Sequence, residues 1–318
     1  MQRRKDDKLN APHVTNSTIV MSTEKTKRKK KFRGIENPYS GYLFAGPQII
    51  LFLVFIAYPV FEGFRMSLFK FSYSSEIFVG LENYKTLFAD PVFMKSIFNT
   101  MIFVVAIVFF TIMFSLFVAT AVYDKTSKYV SFIRGSYYLP VMVSMVVMSI
   151  IWNFLLNPAN GLINYLMNNT GLENVNLLGS TTWVMPVVIF VTFVGNVGQS
   201  IILYIASMIG ISEDFFEAAE LDGATRWQRI RHILIPLVKP TTLYLVIINI
   251  IAVLKIFVVI QLLTGGGPNN SSVTMMYYLY QNAFIYNNTG IAAAIGVMMF
   301  VIALLLAIPQ FKTFGNKD

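Results

Sequence analysis

The sequence predicts an all-α, polytopic membrane protein with six transmembrane helices, and three observations predict it. Of 318 residues, 55% are apolar, 15% aromatic and only 13% charged, whereas a soluble chain carries roughly a quarter charged residues. Mean hydropathy is +0.61. The charges also leave long gaps: 25 residues between Glu36 and Glu62, 28 between Lys95 and Asp124, 38 between Arg134 and Glu173, and 39 between Glu173 and Glu213. One bilayer crossing takes about 20 apolar residues, so each gap holds one span, and the two longer gaps hold a polar loop as well. This excludes an ordinary cytosolic enzyme and wholesale disorder. There is no Cys, hence no disulfide, no Cys-based metal site and no thiol nucleophile.

The elements follow in order. Residues 1–36 are polar and centre on the basic run Lys25-Thr26-Lys27-Arg28-Lys29-Lys30-Lys31-Phe32-Arg33. They are expected to be a disordered tail lying near anionic lipid. No apolar stretch follows the charges as it would in a secretory signal, and nucleic acid is not an expected partner of this run. Met21 stands as an alternative start to Met1. The six expected spans are 42–62, 97–122, 134–156, 182–206, 241–263 and 290–311. Asn157, Pro158, Asn160 and Gly161 close the third, and Gly179, Ser180, Thr181 and Thr182 precede the fourth. The fifth follows Pro240 and is interrupted only by Lys255; the sixth runs from Gly290 to Phe311.

An even number of spans places both termini on one side, and Lys plus Arg decide which. The tail side carries 20 of the 25, the opposite loops carry Arg65, Lys70, Lys85 and Lys95, and Lys255 is the remainder. By the positive-inside rule the termini are expected on the cytoplasmic side of the membrane. The loops 65–96, 157–181 and 264–289 then face outward.

Lys255 is the one ionisable group inside a span interior, and such a residue is a functional candidate by default. There is no intramembrane Asp, Glu or His, and the two histidines, His13 and His232, are far apart in sequence. The pattern offers no catalytic pair, no metal site and no carboxylate of the kind that couples protons or sodium to transport. Gly265-Gly266-Gly267-Pro268 lacks the Gly-Lys-Ser/Thr of a phosphate loop. The chain is therefore expected to be no enzyme, with no catalytic residues, no metal and no bound cofactor. The spans do carry neutral polar residues: Asn153, Asn196, Gln199, Asn249 and Gln261. Asn196 and Gln199, three apart, share a helix face, whereas Asn249 and Lys255, six apart, do not stack simply. Two readings stand: hydrogen bonds between packed helices, or a wall for a polyhydroxylated solute, to which Asn and Gln both donate and accept.

The segment 207–240 is the most informative. Ser212 is the expected N-cap of a helix, with Glu213 and Asp214 in its first turn, where they favour the helix dipole. Glu217-Ala218-Ala219-Glu220-Leu221 follow, and Gly223 is expected to end or kink this helix. A basic helical stretch then runs through Trp227 and Arg231 to Pro236. Small residues permit close approach of another surface, and the acidic start suits a basic partner, as in helix-in-groove docking. A plain hairpin joining two spans is the alternative.

The residues that decide are Glu217-Ala218-Ala219, then Gly223 after three residues, then Ile233-Leu234-Ile235-Pro236 after nine. With them the chain resembles the permease subunit of a binding-protein-dependent ABC importer, whose signature is Glu-Ala-Ala, three residues, Gly, nine residues and Ile-x-Leu-Pro. Ile235 stands where that family usually has Leu. Phe78-Val79-Gly80-Leu81-Glu82-Asn83-Tyr84, Asn99-Thr100, Trp152 to Pro158, Gly161 to Asn164 and Leu263 to Pro268 resemble the carbohydrate branch, alongside maltose- and glycerol-phosphate-type permeases. The resemblance covers about 37–311.

It implies a type I ABC importer permease fold. The expected divisions are a tail at 1–36, the first helix and external loop at 37–95, a five-helix permease core at 96–311 and a cytoplasmic C-terminus at 312–318. It implies a coupling helix at about 212–235, with Glu217, Ala218, Ala219, Gly223, Ile233 and Pro236 as ATPase-coupling residues. It implies a second homologous permease, an ATPase dimer that binds ATP and Mg, an external solute-binding protein and a carbohydrate ligand. Glycerol phosphate or an acidic saccharide is the alternative ligand, and a stand-alone secondary carrier the alternative class. Asn153, Asn196, Gln199, Asn249, Lys255 and Gln261 are the candidate residues of the substrate path.

Overall fold

A computed structural model describes residues 40–72, 75–125, 127–171 and 175–314; the expected tail at 1–36 lies outside them. The chain divides into two compact units, 1–53 and 54–318. The described part of the first is α1 (Ser40–Phe52), whose Ile50, Leu51 and Phe52 are all exposed. A helix with apolar side chains exposed all round suits lipid and not water.

In the second unit, α2 (Tyr58–Ser67) follows a π-helical turn at Leu53–Ala57. The 23-residue run Ala45–Ser67 is long and apolar enough to cross a membrane, and it ends five residues beyond the expected limit of 62. Its end is polar: Arg65 donates to Glu62 at 2.6 Å and to Glu76 at 2.9 Å. The loop expected at 65–96 holds an antiparallel hairpin, β1 (Phe69–Ser72) with β2 (Ser75–Phe78), in the register Phe69↔Phe78 to Ser72↔Ser75. The helix α3 (Glu82–Ala89) follows.

The longest helix, α4 (Pro91–Val122), has 32 residues, about 48 Å at 1.5 Å per residue. Pro91 occupies its first turn, where a missing N–H costs nothing, and Asp90 caps it by accepting from Val92 N at 2.8 Å. Phe103, Ile107, Thr111, Ser115, Val118 and Val122 are buried along it at spacings of three and four.

The expected span at 134–156 is instead two helices, α5 (Ser127–Met142) and α6 (Met145–Leu155), which meet at 89°. Ser144 is extended, and its Oγ accepts from Val146 N at 3.3 Å. It thus caps a new helix, while Val143 N reaches back to Pro140 O at 3.2 Å. A short α7 (Leu162–Asn169) leads to α8 (Val184–Ile209), the fourth expected span.

The loop beyond α8 holds α9 (Asp214–Leu221), α10 (Arg226–Arg229), a π-helical turn at Ile230–Leu234 and α11 (Ile235–Leu237). The helix α12 (Lys239–Leu254) starts after a 60° bend. The expected fifth span, 241–263, is also broken: α12 ends at Leu254, and α13 (Val258–Leu263) resumes after Lys255–Phe257. The helices α14 (Met275–Tyr280) and α15 (Thr289–Phe314) complete the chain. Among the described residues four helices are long and apolar enough to cross a membrane, or six spans if each bent pair counts as one.

The core of this unit is the contact of α4 with α8, flanked by α5 on α8 and α12 on α4. One buried cluster joins Phe103, Val188, Val259 and Ile295. A second, toward the 210–238 loop, joins Ala119, Ile201, Tyr204, Leu234 and Leu245. In lipid the hydrophobic effect does little to hold helices together, so close packing and polar staples must. Two staples join α8 and α12: Tyr204 Oη donates to Thr242 Oγ1 at 2.9 Å, half-buried, and Asn249 Nδ2 donates to Ser200 Oγ at 3.3 Å, buried. Gly198 supplies the closest packing, since a β-carbon there would fall onto the carbonyl of Tyr137 in α5.

Gly198→Val therefore separates α5 from α8 and is expected to cost about 3 kcal/mol, the upper part of the overpacking range. Gly135→Ala, where an added β-carbon meets nothing within 4 Å, leaves stability unchanged or raises it by a few tenths of a kcal/mol. Thermal unfolding of both variants in one detergent checks the contrast.

Candidate functional site

The expected docking helix forms as α9, with a shifted start. The position before it is Glu213, which makes no side-chain cap. Ser212 lies one residue further out: its Oγ donates to Asp214 Oδ2 at 2.9 Å and accepts from Asp214 N at 3.4 Å. The end is as read. Ala224 N bonds Ala219 O at 2.9 Å and Gly223 N bonds Glu220 O at 3.0 Å, the paired bonds of a Schellman stop. Gly223 sits at φ +74, and a β-carbon there would meet nothing within 4 Å. What demands glycine within this chain is the left-handed backbone, not crowding.

The helix has two faces. Phe216 turns inward and lies 5.7 Å from the Tyr123 ring at the end of α4. Glu217 and Ala218 are exposed, as are Phe215 and Leu221, while Ala219 is half-buried. Leu221 is 90% exposed, an apolar side chain presented at the polar end of the bundle. Residues 215, 218 and 221 recur at a spacing of three and share one face. Sequence reading passed over Phe215 and Leu221; their signal was apolar residues in an otherwise polar loop.

The next turn anchors this helix to α4. Thr225 and Gln228 form a capping box that starts α10. Arg226 then reaches across the chain. Its Nε donates to Asp124 Oδ2 at 2.9 Å, and its Nη2 donates to Asp124 Oδ1 at 3.1 Å, Thr120 O at 3.2 Å and Ala121 O at 3.1 Å. The carbonyls are those that the last turn of a helix leaves without partners. The guanidinium also lies 5.6 Å from the centre of the Tyr123 ring, and Arg229 returns to Glu220 at 3.2 Å. Ile233 is half-buried and Pro236 exposed, on either side of the fully buried Leu234.

The candidate path residues separate into two groups. Asn196, Asn249 and Lys255 line one cleft of about 170 Å³, with Thr192, Met145 and Phe257 among the other walls. Asn249 and Lys255 both line it, although six apart in sequence, and the residues of the break after Lys255, Ile256 and Phe257, form the wall beside them. The break frees backbone groups, and Thr274 Oγ1 takes Ile256 O at 3.0 Å. Asn196 bonds its own helix at Thr192 O, 2.8 Å, and Asn249 bonds Leu245 O, 2.8 Å, besides Ser200. Lys255 is exposed. Asn153, Gln199 and Gln261 are not among the cleft's walls. Asn153 ties α6 to α13 through Leu262 O at 3.3 Å, Gln199 is exposed on α8, and Gln261 Oε1 is buried without a partner.

At the other end of α4, the quoted sequence phrases are hydrogen-bond staples. Asn99 Nδ2 donates to Asn270 O at 3.0 Å and Val273 O at 2.9 Å, Thr100 Oγ1 accepts from Met275 N at 3.0 Å, and Lys95 Nζ donates to Asn269 O at 2.6 Å. They hold the loop after α13, whose Gly265, Gly266, Asn269 and Asn270 all have positive φ. Asn83 donates to Ser67 O at 2.8 Å and Phe69 O at 3.0 Å. Tyr278 Oη donates to Asp90, the cap of α4; burial first, and then this carboxylate, pushes the phenol up to about 12.

Three comparisons bear on this geometry. Residues 112–310 match the model of the family described as binding-protein-dependent transport system inner membrane component. The probable ABC transporter permease protein YurN of Bacillus subtilis is 35% identical, over 88% of this chain and 97% of that one. The sn-glycerol-3-phosphate transport system permease protein UgpA of Agrobacterium fabrum is 31% identical, over 85% and 93%. The arabinooligosaccharides transport system permease protein AraP of B. subtilis is 28% identical, over 86% and 88%. Among solved structures, a bacterial ABC transporter involved in the import of the acidic polysaccharide alginate superposes with a TM-score of 0.78 at 27% identity, over 89% of this chain and 98% of that one.

Two outcomes follow from the geometry. Arg226→Ala frees α9 from α4: hydrogen exchange is expected to rise across 214–229 and stay unchanged in α8, with global stability lowered by no more than about 1 kcal/mol because the ion pair is exposed. Tyr278 is protonated in folded and unfolded chain alike below pH 10. Its contribution is therefore complete there and is lost as pH rises toward 12. Tyr278→Phe is expected to flatten the fall in thermal stability between pH 10 and 12.

Proposed function

The chain belongs to the family of binding-protein-dependent transport system inner membrane components, and from that premise we propose that it forms half of the path by which an ATP-driven importer admits a sugar or oligosaccharide. It is an ABC importer permease of the sugar-transport kind, a multi-pass membrane protein. The observation that carries the path is the break in α12. Unwound backbone at membrane depth is tolerated where it is buried in protein or lines a water-filled cavity, and here it lines the cleft of Asn196, Asn249 and Lys255. That cleft, about 170 Å³, is smaller than the roughly 300–1,000 Å³ of small-molecule sites. Half a site completed by a second, homologous permease accounts for the shortfall.

The docking loop supplies the coupling. The ridge of Phe215, Ala218 and Leu221, with Glu217 beside it, enters a cleft of a separate ATPase subunit, which binds ATP and Mg. Closure of the ATPase pair turns the path toward an external binding protein, and hydrolysis returns it inward. The permease itself performs no bond chemistry. The solute must contact the two states differently, or the cycle moves nothing uphill. Both termini lie in the cytoplasm, on the side where Lys and Arg concentrate.

A second reading of the ligand rests on Lys255. It is the cation in the cleft, which favours an acidic saccharide or a glycerol phosphate over a neutral sugar. The alginate importer and UgpA, both similar to this chain, carry such names.

The deciding experiment is a mild-detergent pull-down of the tagged chain, with vesicle uptake of the recovered assembly. Co-purification of an ATPase and a second six-span permease, with uptake that needs ATP, is the expected result. Transport by the chain alone would establish a secondary carrier instead. Gly223→Val is expected to reach the membrane at wild-type level and to lose at least about tenfold in uptake, because the left-handed turn costs a β-branched residue about 1–2 kcal/mol locally and reshapes the ridge. Lys255→Gln raises the KM of an acidic solute and leaves that of a neutral one unchanged.

A further inference from the structure

A second cleft, of about 310 Å³, opens at the end of the bundle that bears the docking loop, between the close of α4, the start of α5 and the close of α8. Lys125, Ser131 and Arg134 stand on its polar side, and Val122, Met208 and Ile209 on its apolar side. No acidic residue lines it. The nearest acid in sequence, Asp124, is occupied: Arg226 holds both its oxygens, while Lys125 stands 4.0 Å away. Arg134 forms no ion pair among the described residues, and its Nε is buried without a hydrogen-bond partner. Tyr123, which also lines the cleft, has its Oη buried and unpartnered.

A buried donor left without an acceptor costs about 1–3 kcal/mol, and this cleft gathers two, on Arg134 and Tyr123, beside the exposed amine of Lys125. The missing partner is an anion with several acceptor oxygens. The apolar side settles its type. A free phosphate ion has nothing to lay along Val122, Met208 and Ile209, whereas a phospholipid has an acyl chain. Arg134 sits seven residues beyond the start of α5, about 10 Å along the helix, so its unpartnered Nε lies within the first turns of that helix.

We propose that this cleft is a binding site for one anionic phospholipid, its phosphodiester held by Arg134, Lys125 and Tyr123 and one acyl chain against α8. Basic pockets between helices at this membrane face recognise such headgroups. Occupancy fills the junction of α4, α5 and α8 beside the Arg226 clamp, so the lipid stiffens the mount of the docking loop. The site stands apart from the transport cleft and does not depend on what that cleft carries.

The test is native mass spectrometry and thermal unfolding of the detergent-extracted assembly containing the full chain, titrated with phosphatidylglycerol, phosphatidylcholine or inorganic phosphate. The expected result is retention of phosphatidylglycerol with a rise in unfolding temperature, and neither effect with phosphatidylcholine. Each cation removed, in Lys125→Gln and Arg134→Gln, weakens that binding about fivefold, and Arg134→Lys restores most of it. An equal shift with phosphatidylcholine would reduce the cleft to ordinary lipid contact and overturn the proposal. An equal shift with inorganic phosphate would make it a phosphate site and overturn the lipid assignment. Unchanged affinity in a folded Lys125→Gln variant, which alters an exposed side chain, would remove the cluster from any role.

Discussion

The clamping of α4 at both ends is the constraint on which the rest of the molecule depends. At one end Asp90 caps the helix and receives Tyr278, while Lys95, Asn99 and Thr100 bind the backbone of residues 269–275. At the other, Arg226 takes two terminal carbonyls and Asp124. Between these lie about 48 Å of helix, packed on α8 along a continuous buried stripe. A rod of this kind transmits displacement better than it absorbs it, because close-packed side chains have discrete arrangements rather than soft ones. The loop proposed to meet an ATPase and the loop that would meet a binding protein are thus fastened to one element. For an importer in which the two events are linked across a bilayer, that is the mechanical minimum.

How much of this was legible in the sequence depends on whether the information is local. The spans at 97–122, 182–206 and 290–311 were found because charge-free runs of helical length have one outcome in lipid, where the backbone must satisfy itself. The stop at Gly223 was found because a left-handed C-terminus is a local glycine signal. The breaks at Val143–Ser144 and Lys255–Phe257 were not. Pro140 is visible in sequence, but many helices tolerate proline. The bend exists because Ser144 caps a new helix that packs on α13, and that partner is more than a hundred residues away. In the same way Thr274 satisfies the carbonyl of Ile256, and no window around Lys255 contains it.

The candidate path residues show this division most sharply. Counting positions along the helix puts Asn249 and Lys255 on different faces, yet both line one cleft. Counting also joins Asn196 to Gln199, and only Asn196 lines it. Asn249 serves two purposes: it staples α12 to Ser200 on α8 and stands at the cleft wall. The staple does not remove Asn249 from the cleft wall, so the two readings that the sequence left open remain compatible at this residue. The loop phrases likewise carry fold, since Asn83, Asn99 and Thr100 spend their hydrogen-bonding capacity on backbone groups. Their place is in the scaffold, where they hold loops to helices.

Large parts of the surface remain apolar, and they differ by position. Ile50, Phe52 and Phe55 are exposed, as lipid permits. Leu221 and Phe215 cannot be explained so, because they project from a short helix among Glu213, Asp214, Glu217 and Asp222. Exposed apolar side chains ringed by carboxylates mark a protein contact, since lipid headgroups of the anionic leaflet repel that ring. Eight residues further on the sign of the charge reverses. Arg229, Arg231 and Lys239 lie closer to the membrane end of the loop, where anionic lipid attracts them. The loop is thus polarised along its length, acidic where it would meet a partner protein and basic where it returns to the bilayer. Arg226 stands at the point where the sign changes and fastens the loop there to the end of α4.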